Sequence, residues 1–290
     1  MTASLTLGAV IITKGDRPDD PRALLGPAAA RRGGRAGASV VGAGTPVTGS
    51  GGLPPGARTV GPPGNPGTPG GRTAGTGASG PAGSGAPLVP DGDGLPPDPA
   101  GPAEPAREAL AADPEPGVLP FRIAGEATGR ARPRRLPRLR AADPTRSSRV
   151  TAFPGAARTR TPVIAEAGPP SGEFLRAHEG TGLARRAPDA GRMPGHRSDL
   201  PLSRPTTAPF RHAVHHRTAA RDRVRPARRN PPAPLVPRCP GVRVLLTLAR
   251  RPPPAAPAAR EGRRTPCGPR RPMKWRTVRR LTRLGRPPVI

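Results

Sequence analysis

The sequence predicts an α/β protein whose sheet begins at residue 7, within a chain much of which is expected to be poorly ordered. The first expectation rests on a run of three elements. Leu7-Gly8-Ala9-Val10-Ile11-Ile12-Thr13 is apolar and β-branched and is stopped by Lys14-Gly15-Asp16-Arg17-Pro18, the pattern of a strand covered on both faces. Asp19 or Asp20 can cap a helix with Pro21 in its first turn, which Pro27 then ends. Ser39-Val40-Val41 reads as a second strand, and strand, helix, strand opens a parallel α/β unit. The second expectation rests on composition. Leu, Ile, Val and Phe are only 46 of 290 residues, aromatics are 2%, and there are 48 Pro and 39 Gly. Such values lie where charged chains fail to bury a core. An interior helix proline costs about 3 kcal/mol against a net domain stability of about 5–15 kcal/mol. A few badly placed prolines would unfold the chain.

Further along, 45–87 is almost wholly Gly, Pro, Ala, Thr and Ser and reads as flexible. Short helices are expected at 104–113 and 161–168, and a longer helical stretch at 173–187. Residues 130–149 are arginine-rich and irregular, 210–229 are basic, and 235–249 form a last apolar patch broken by Arg238, Pro240 and Arg243.

The net charge is +29, and only Lys14 and Lys274 are lysines. A field of that size attracts polyanions without selectivity and with steep salt dependence. Specific nucleic-acid recognition would add stacking aromatics or a recognisable module, and the sequence has neither. Cys239 and Cys267 form no CxxC pair, so no disulfide framework is expected and a reducing compartment fits. The N-terminus does not read as a signal peptide, and no apolar run reaches the ~20 residues that span a bilayer. A cytoplasmic protein is therefore expected, with the 235–249 patch available to lie against a membrane or a core.

Asp91-Gly92-Asp93-Gly94 holds the strongest candidate site residues. Asp91 and Asp93, two residues apart after a strand, can hold Mg²⁺ or Mn²⁺; a solvated Asp-Gly turn is the plainer alternative. An EF-hand is excluded by Leu95 at the fifth loop position. Gly70-Gly71-Arg72 can present backbone N–H groups and a guanidinium to a phosphate, or it is simply linker; no Gly-Lys-Ser/Thr makes it a Walker loop. His212, His215 and His216 have no nearby acid or Cys to complete a metal site.

The order of these landmarks resembles the family 2 glycosyltransferases. The residues that carry the resemblance are the opening strand with Thr13 and Asp16-Arg17-Pro18, then Gly64-Asn65-Pro66-Gly67 through Gly70-Gly71-Arg72-Thr73-Ala74-Gly75, then Asp91-Gly92-Asp93. Phe153-Pro154-Gly155-Ala156 and Val163 to Pro169 are similar to the acceptor-side loop and following helix. His178-Glu179-Gly180-Thr181-Gly182-Leu183-Ala184-Arg185-Arg186 is similar to the start of the catalytic helix. The resemblance implies a GT-A fold, a Rossmann-like α/β domain binding a nucleotide-sugar, over 1–230, with 45–87 loose and 231–290 a basic C-terminal extension. It implies a sugar moved with inversion from a nucleotide-diphosphate sugar to an acceptor hydroxyl, on a glycan or lipid-linked glycan. Thr13, Arg17, Gly71 and Arg72 would meet the donor, Asp91 and Asp93 would hold Mg²⁺ or Mn²⁺, and Glu179 would substitute as base for the acid that the family carries at the position of Gly180.

The departures from that pattern share a direction. Gly180 and Gly182 replace acids, Arg185 stands where an aromatic is common, and prolines stand where leucines would complete helices. Leu→Pro, Asp→Gly, Trp→Arg and Lys→Arg can each arise from one A·T to G·C change, and a chain with no Tyr and one Trp fits such drift. The reading is a degenerate copy, inactive if the base is lost. An intact relative restoring those residues is the expected finding; one with the same glycines and prolines contradicts drift. The competing class is a non-enzymatic, basic, disordered chain that binds polyanions.

Overall fold

The computed structural model describes residues 7–13, 38–42, 53, 57–78, 86–89, 103–125, 148–149, 157–168, 179–204, 212–239, 241–242, 245, 255–284 and 287. The strands are β1 (Leu7–Thr13), β2 (Ala38–Gly42), β3 (Arg58–Val60), β4 (Ala86–Val89), β5 (Val118–Gly125), β6 (Ser148–Arg149), β7 (Ala157–Thr159) and β8 (Gly195–Arg204). They form one eight-stranded sheet in the order β3-β2-β1-β4-β7-β5-β8-β6. β1 pairs in parallel with β2 and β4, and β2 with β3. β7 runs antiparallel to both β4 and β5, and β5 is parallel to β8. The expected opening strand and its parallel partner are both present.

The sheet order changes direction at β1. The chain builds outward through β2 and β3, then returns to place β4 on the other side of β1. In open α/β sheets such a point leaves a crevice beyond the carboxyl ends of the strands, where ligands bind.

Helix α1 (Gly67–Ala78) makes that return, a helix inside the 45–87 stretch that reads as flexible. Five of its twelve residues are glycine, each costing up to about 1 kcal/mol against alanine in a helix interior. Close packing against the sheet offsets this cost. A Cβ on Gly75 would stand 2.3 Å from Val10 Cγ1 and 2.9 Å from Val41 Cγ2, and one on Gly71 would meet the Ile12 side chain at 3.1–3.3 Å. Only glycines let α1 approach β1 and β2 so closely, where Val10 and Val41 form a small buried cluster backed by Ile12, Val60 and Ala74. The Asn65 side chain starts the turn into α1 by accepting from the Gly67 N–H at 2.9 Å. Gly75→Ala is therefore expected to destabilise the fold by about 1–3 kcal/mol. Gly77→Ala, where nothing lies within 4 Å of the new Cβ, is expected to stabilise it by about 0.5–1 kcal/mol. Urea unfolding of the two variants checks the pair.

Helix α2 (Ala103–Ala112) puts Ala106, Ala109 and Leu110 at helical spacing on one face. That face packs on Leu119, Phe121 and Ile123 of β5 and Leu200 and Leu202 of β8. The opposite face of β5 presents Val118 to a second cluster. There Val163 and Ala167 of α3 (Thr161–Ala167) meet Leu183 and Ala184 of α4 (Glu179–Arg186), together with Ala157 and Ala187. β5 is thus buried on both faces, as a central strand between helical layers must be.

Helix α5 (His212–Arg229) carries Pro226 inside it and packs against α6 (Ala255–Arg264). A Cβ on Gly262 of α6 would meet the Arg221 carbonyl oxygen at 2.3 Å. The chain on the two sides of residue 230 is joined by backbone bonds, from Arg271 N–H to Arg229 O at 3.0 Å and Met273 N–H to Asn230 O at 2.7 Å. Helix α7 (Trp275–Arg283) is pinned through Val278 and Leu281, which pack with Met193 and Met273. The Asp189 carboxylate accepts from the Lys274 N–H at 3.0 Å and from the Thr277 hydroxyl, capping α7 from outside it. Among the described residues no helix is long and apolar enough to cross a membrane.

Candidate active site

The sequence places its donor-side residues around the switch point, and the structure locates part of that set. Thr13 is the last residue of β1, buried, and in register with Gly42, the last residue of β2. β4 runs parallel on the other side of β1, with Ala9 opposite Leu88, and ends at Val89. Asp91 and Asp93 follow Val89 in the sequence by two and four residues. Arg17, Asp91 and Asp93 lie outside the described residues.

Gly71 and Arg72 are in the helix rather than in a loop. Gly71 sits over Ile12, one residue short of Thr13, so the start of α1 lies beside the carboxyl end of β1. Arg72 is buried on the same turn, only 5% exposed. The helical geometry commits the Gly71 N–H to the α1 ladder. What this turn brings to the carboxyl end of β1 is a buried guanidinium, while the close approach that glycine permits is taken up by Ile12.

Glu179 opens α4. Its side chain lies outside the described set, but the helix is firmly placed. Leu183 and Ala184 pack with Ala157 of β7, the strand hydrogen-bonded to β4. The catalytic-helix candidate therefore packs against the strand that neighbours β4. Gly180, next in the helix, is buried.

Sequence reading missed Arg158. It lies on β7 opposite Leu88 of β4 and donates from Nη1 to the Gly8 carbonyl oxygen of β1 at 3.3 Å. Burial pulls its pKa down to about 9, while Glu104 opposes that shift. The side chain thus ties the strands on either side of β4 together and brings positive charge into the sheet. A three-residue strand with an arginine at its centre has no hydrophobic period to reveal it.

Buried guanidinium is a general feature of this half of the molecule. Arg186 donates to the Gly182 carbonyl at 3.1 Å and to the Ala167 carbonyl, and Arg271 reaches the same Ala167 oxygen at 3.3 Å. Burial, and after it the like charges of Arg229 and Arg271, lower the Arg186 pKa to about 9. Arg185 is fully enclosed, with its pKa brought down to about 10 by burial against an opposing effect from Cys239. A base that holds its proton less tightly when folded opposes folding while charged. The cost is present in full below about pH 10 and is relieved as pH rises towards the ordinary arginine value. Arg185→Met is therefore expected to stabilise the protein by about 1–4 kcal/mol at neutral pH, read as a higher urea midpoint. An unchanged or lower midpoint would show that the guanidinium is well accommodated.

Among the described residues, no group of three or more His, Cys, Asp and Glu could hold a metal ion. The Asp91–Asp93 donor set is chemically suited to one. Hard divalent cations take carboxylate oxygens, and Mg²⁺ at phosphate sites commonly uses one or two carboxylates and completes its shell with phosphate oxygens and water.

No protein-family model matches the chain, and no curated protein matches it by sequence. Solved structures do resemble it. GalNAc-T7 with UDP, GalNAc and Mn²⁺ aligns at a TM-score of 0.55 and 11% identity, over 78% of this chain and 48% of that one. The mannosyltransferase PcManGT from Pyrobaculum calidifontis, in complex with GDP-Man and Mn²⁺, aligns at 0.56 and 16%, over 90% and 80%. S. aureus TarS 1–349 in complex with UDP aligns at 0.50 and 14%, over 74% and 64%. The chain thus spans about half of GalNAc-T7 and under two thirds of the TarS fragment. Likeness at such low identity is a likeness of fold.

Proposed function

From a GT-A fold with its switch point between β1 and β4, we propose that the chain is a nucleotide-sugar glycosyltransferase. It would move a sugar from a nucleotide-diphosphate donor to an acceptor hydroxyl on a glycan or lipid-linked glycan, with inversion at the sugar carbon. The observation that supports this reading is the switch point itself, where β4 lies parallel beside β1, Thr13 closes β1, and Gly71 of α1 packs on the preceding Ile12. The solved structures of like fold are named for UDP or GDP-Man, and two of them for Mn²⁺, which supports the same class of donor here.

Each residue has a role within that reading. Thr13 and Arg17 line the nucleotide side, Arg72 places positive charge towards the donor, and Asp91 and Asp93 hold Mg²⁺ or Mn²⁺. A bound divalent ion neutralises charge on the departing diphosphate. Glu179, at the start of α4, accepts the proton of the acceptor hydroxyl as its oxygen attacks the sugar carbon from the side opposite the diphosphate. The position that the family pattern gives to the base holds Gly180, so turnover by this chain is expected to be slow.

Incubation with UDP- and GDP-sugars, with and without Mn²⁺, tests the proposal through release of the nucleoside diphosphate. Slow, metal-dependent release from one nucleotide class is expected. No release from any nucleotide-sugar, together with no nucleotide binding, would remove the assignment.

A further inference from the structure

Helix α7 has two unlike faces. Val278 and Leu281 are buried against Met193 and Met273, Thr277 is tied to Asp189, and Arg280 is paired with Glu115 at 2.7 Å. This side is occupied by the body of the protein. On the other side Arg276, Arg279 and Arg283 are all exposed, Arg276 while also donating from Nη2 to the Asp189 carbonyl oxygen at 2.8 Å, and at 100° per residue they fall within an arc of about 60°. Trp275, at the start of the helix, is 49% exposed, and Leu284, just past its end, is 43% exposed. They rank with Leu245 as the exposed large apolar side chains among the described residues.

We infer that this face of α7 is a docking surface for an anionic lipid bilayer. Three guanidiniums in one arc match a sheet of phosphate headgroups, and their long stems let the charges stay at headgroup depth while the helix lies flat. The indole of Trp275, next to the arginine arc on the helix surface, supplies an apolar anchor of the kind an interfacial helix uses, and tryptophan is the side chain that favours that layer. The capping of α7 by Asp189 and the Arg280–Glu115 pair keep the face rigid and outward, so little ordering is required on contact. A single-stranded nucleic acid would be held by several aromatics stacking on successive bases. With aromatics at 2% of the chain and Trp275 its one tryptophan, α7 offers a single stacking ring. The face belongs to a different element from the strand ends of β1 and β4, and lipid contact is expected whether or not sugar is transferred.

Trp275, as the sole tryptophan, reports directly on this surface. The full chain would be titrated with vesicles of phosphatidylcholine alone, and with vesicles containing about one third phosphatidylglycerol. Emission is expected to move to shorter wavelength on the anionic vesicles only, and to be quenched by lipids brominated near the top of the acyl chain. Arg276→Gln, Arg279→Gln and Arg283→Gln together should weaken binding about 100-fold, each cation near the surface contributing about fivefold. The whole chain carries +29, so a matched variant removes the same charge at Arg58, Arg107 and Arg217. That variant should keep both the shift and the quenching. The inference is overturned if Trp275 emission stays unmoved on bound vesicles, or if both triple variants lose binding equally. It is also overturned if single-stranded RNA shifts the emission more strongly than anionic lipid does, which would make α7 a nucleic-acid face.

Discussion

Gly180→Asp is expected to raise the turnover of this chain about 100-fold, within the range that a positioned general base supplies. The argument begins with helix geometry. Glu179 and Gly180 are adjacent in the first turn of α4, and one residue along a helix turns the side chain by about 100°. A carboxylate at 179 therefore cannot occupy the place of one at 180. α4 itself is held by Leu183, Ala184 and Ala187 in a buried cluster, so a restored acid would project from a fixed support. The substitution also removes a glycine from the helix and adds a negative charge to its first turn, which favour the helix, against the cost of setting a carboxylate at a buried position. The gain should appear in kcat, since a base acts on the attacking hydroxyl in the transition state. Gly180→Asn is the decisive control: similar in shape, it takes no proton and should give no gain. Equal gains from Asp and Asn would mean that the effect comes from helix stability alone.

Asp91→Asn with Asp93→Asn is expected to lower kcat/KM about 100- to 1000-fold, the scale of losing a principal electrostatic stabiliser of a leaving group. Asparagine keeps the shape and removes both negative charges, so the fold should persist while affinity for the metal falls. The Mn²⁺ concentration giving half-maximal rate should rise steeply in the single variants and become unreachable in the double one. A double variant that turns over as the natural chain does would place the metal, or the site itself, elsewhere.

The elements that were legible in the sequence are those whose apolar residues keep a regular period. β1 and β2 are continuous β-branched runs, and α2 and α3 carry their buried residues three or four apart. Two other elements were hidden by residues that ordinarily argue against them. β5 lies between β7 and β8 at the heart of the sheet, yet holds Pro120, which has no N–H to give to a neighbour and normally marks an edge. Its Leu119, Phe121 and Ile123 bury enough apolar surface, at about 1.5–3 kcal/mol each, to outweigh one lost hydrogen bond. α1 is rich in glycine and reads as linker, because the benefit of a missing Cβ appears only when Val10 and Val41 are in place behind it. Composition foretold arginine on the surface; it gave no sign that Arg158, Arg185 and Arg186 would be buried.

The candidate site divides in the same way. Thr13 stands out in the sequence because it closes a strand, and Arg72 because of the glycines before it; their roles belong to the proposal. Arg158 was not, since its role depends on β7 meeting β4, a contact between segments about seventy residues apart. Motif order could suggest which residues belong together, whereas only the sheet order sets β4 beside β1.

Calorimetric titration of UDP and GDP into the natural chain, with and without Mn²⁺ and at low and high salt, tests the account most directly. One saturable site for one of the two nucleotides is expected, dependent on Mn²⁺, little changed by salt and lost in the Asp91→Asn, Asp93→Asn variant. Heat that needs no metal, fits no single site and vanishes as salt is added would be the response of a basic surface to any polyanion, and would contradict a donor site at the β1–β4 edge.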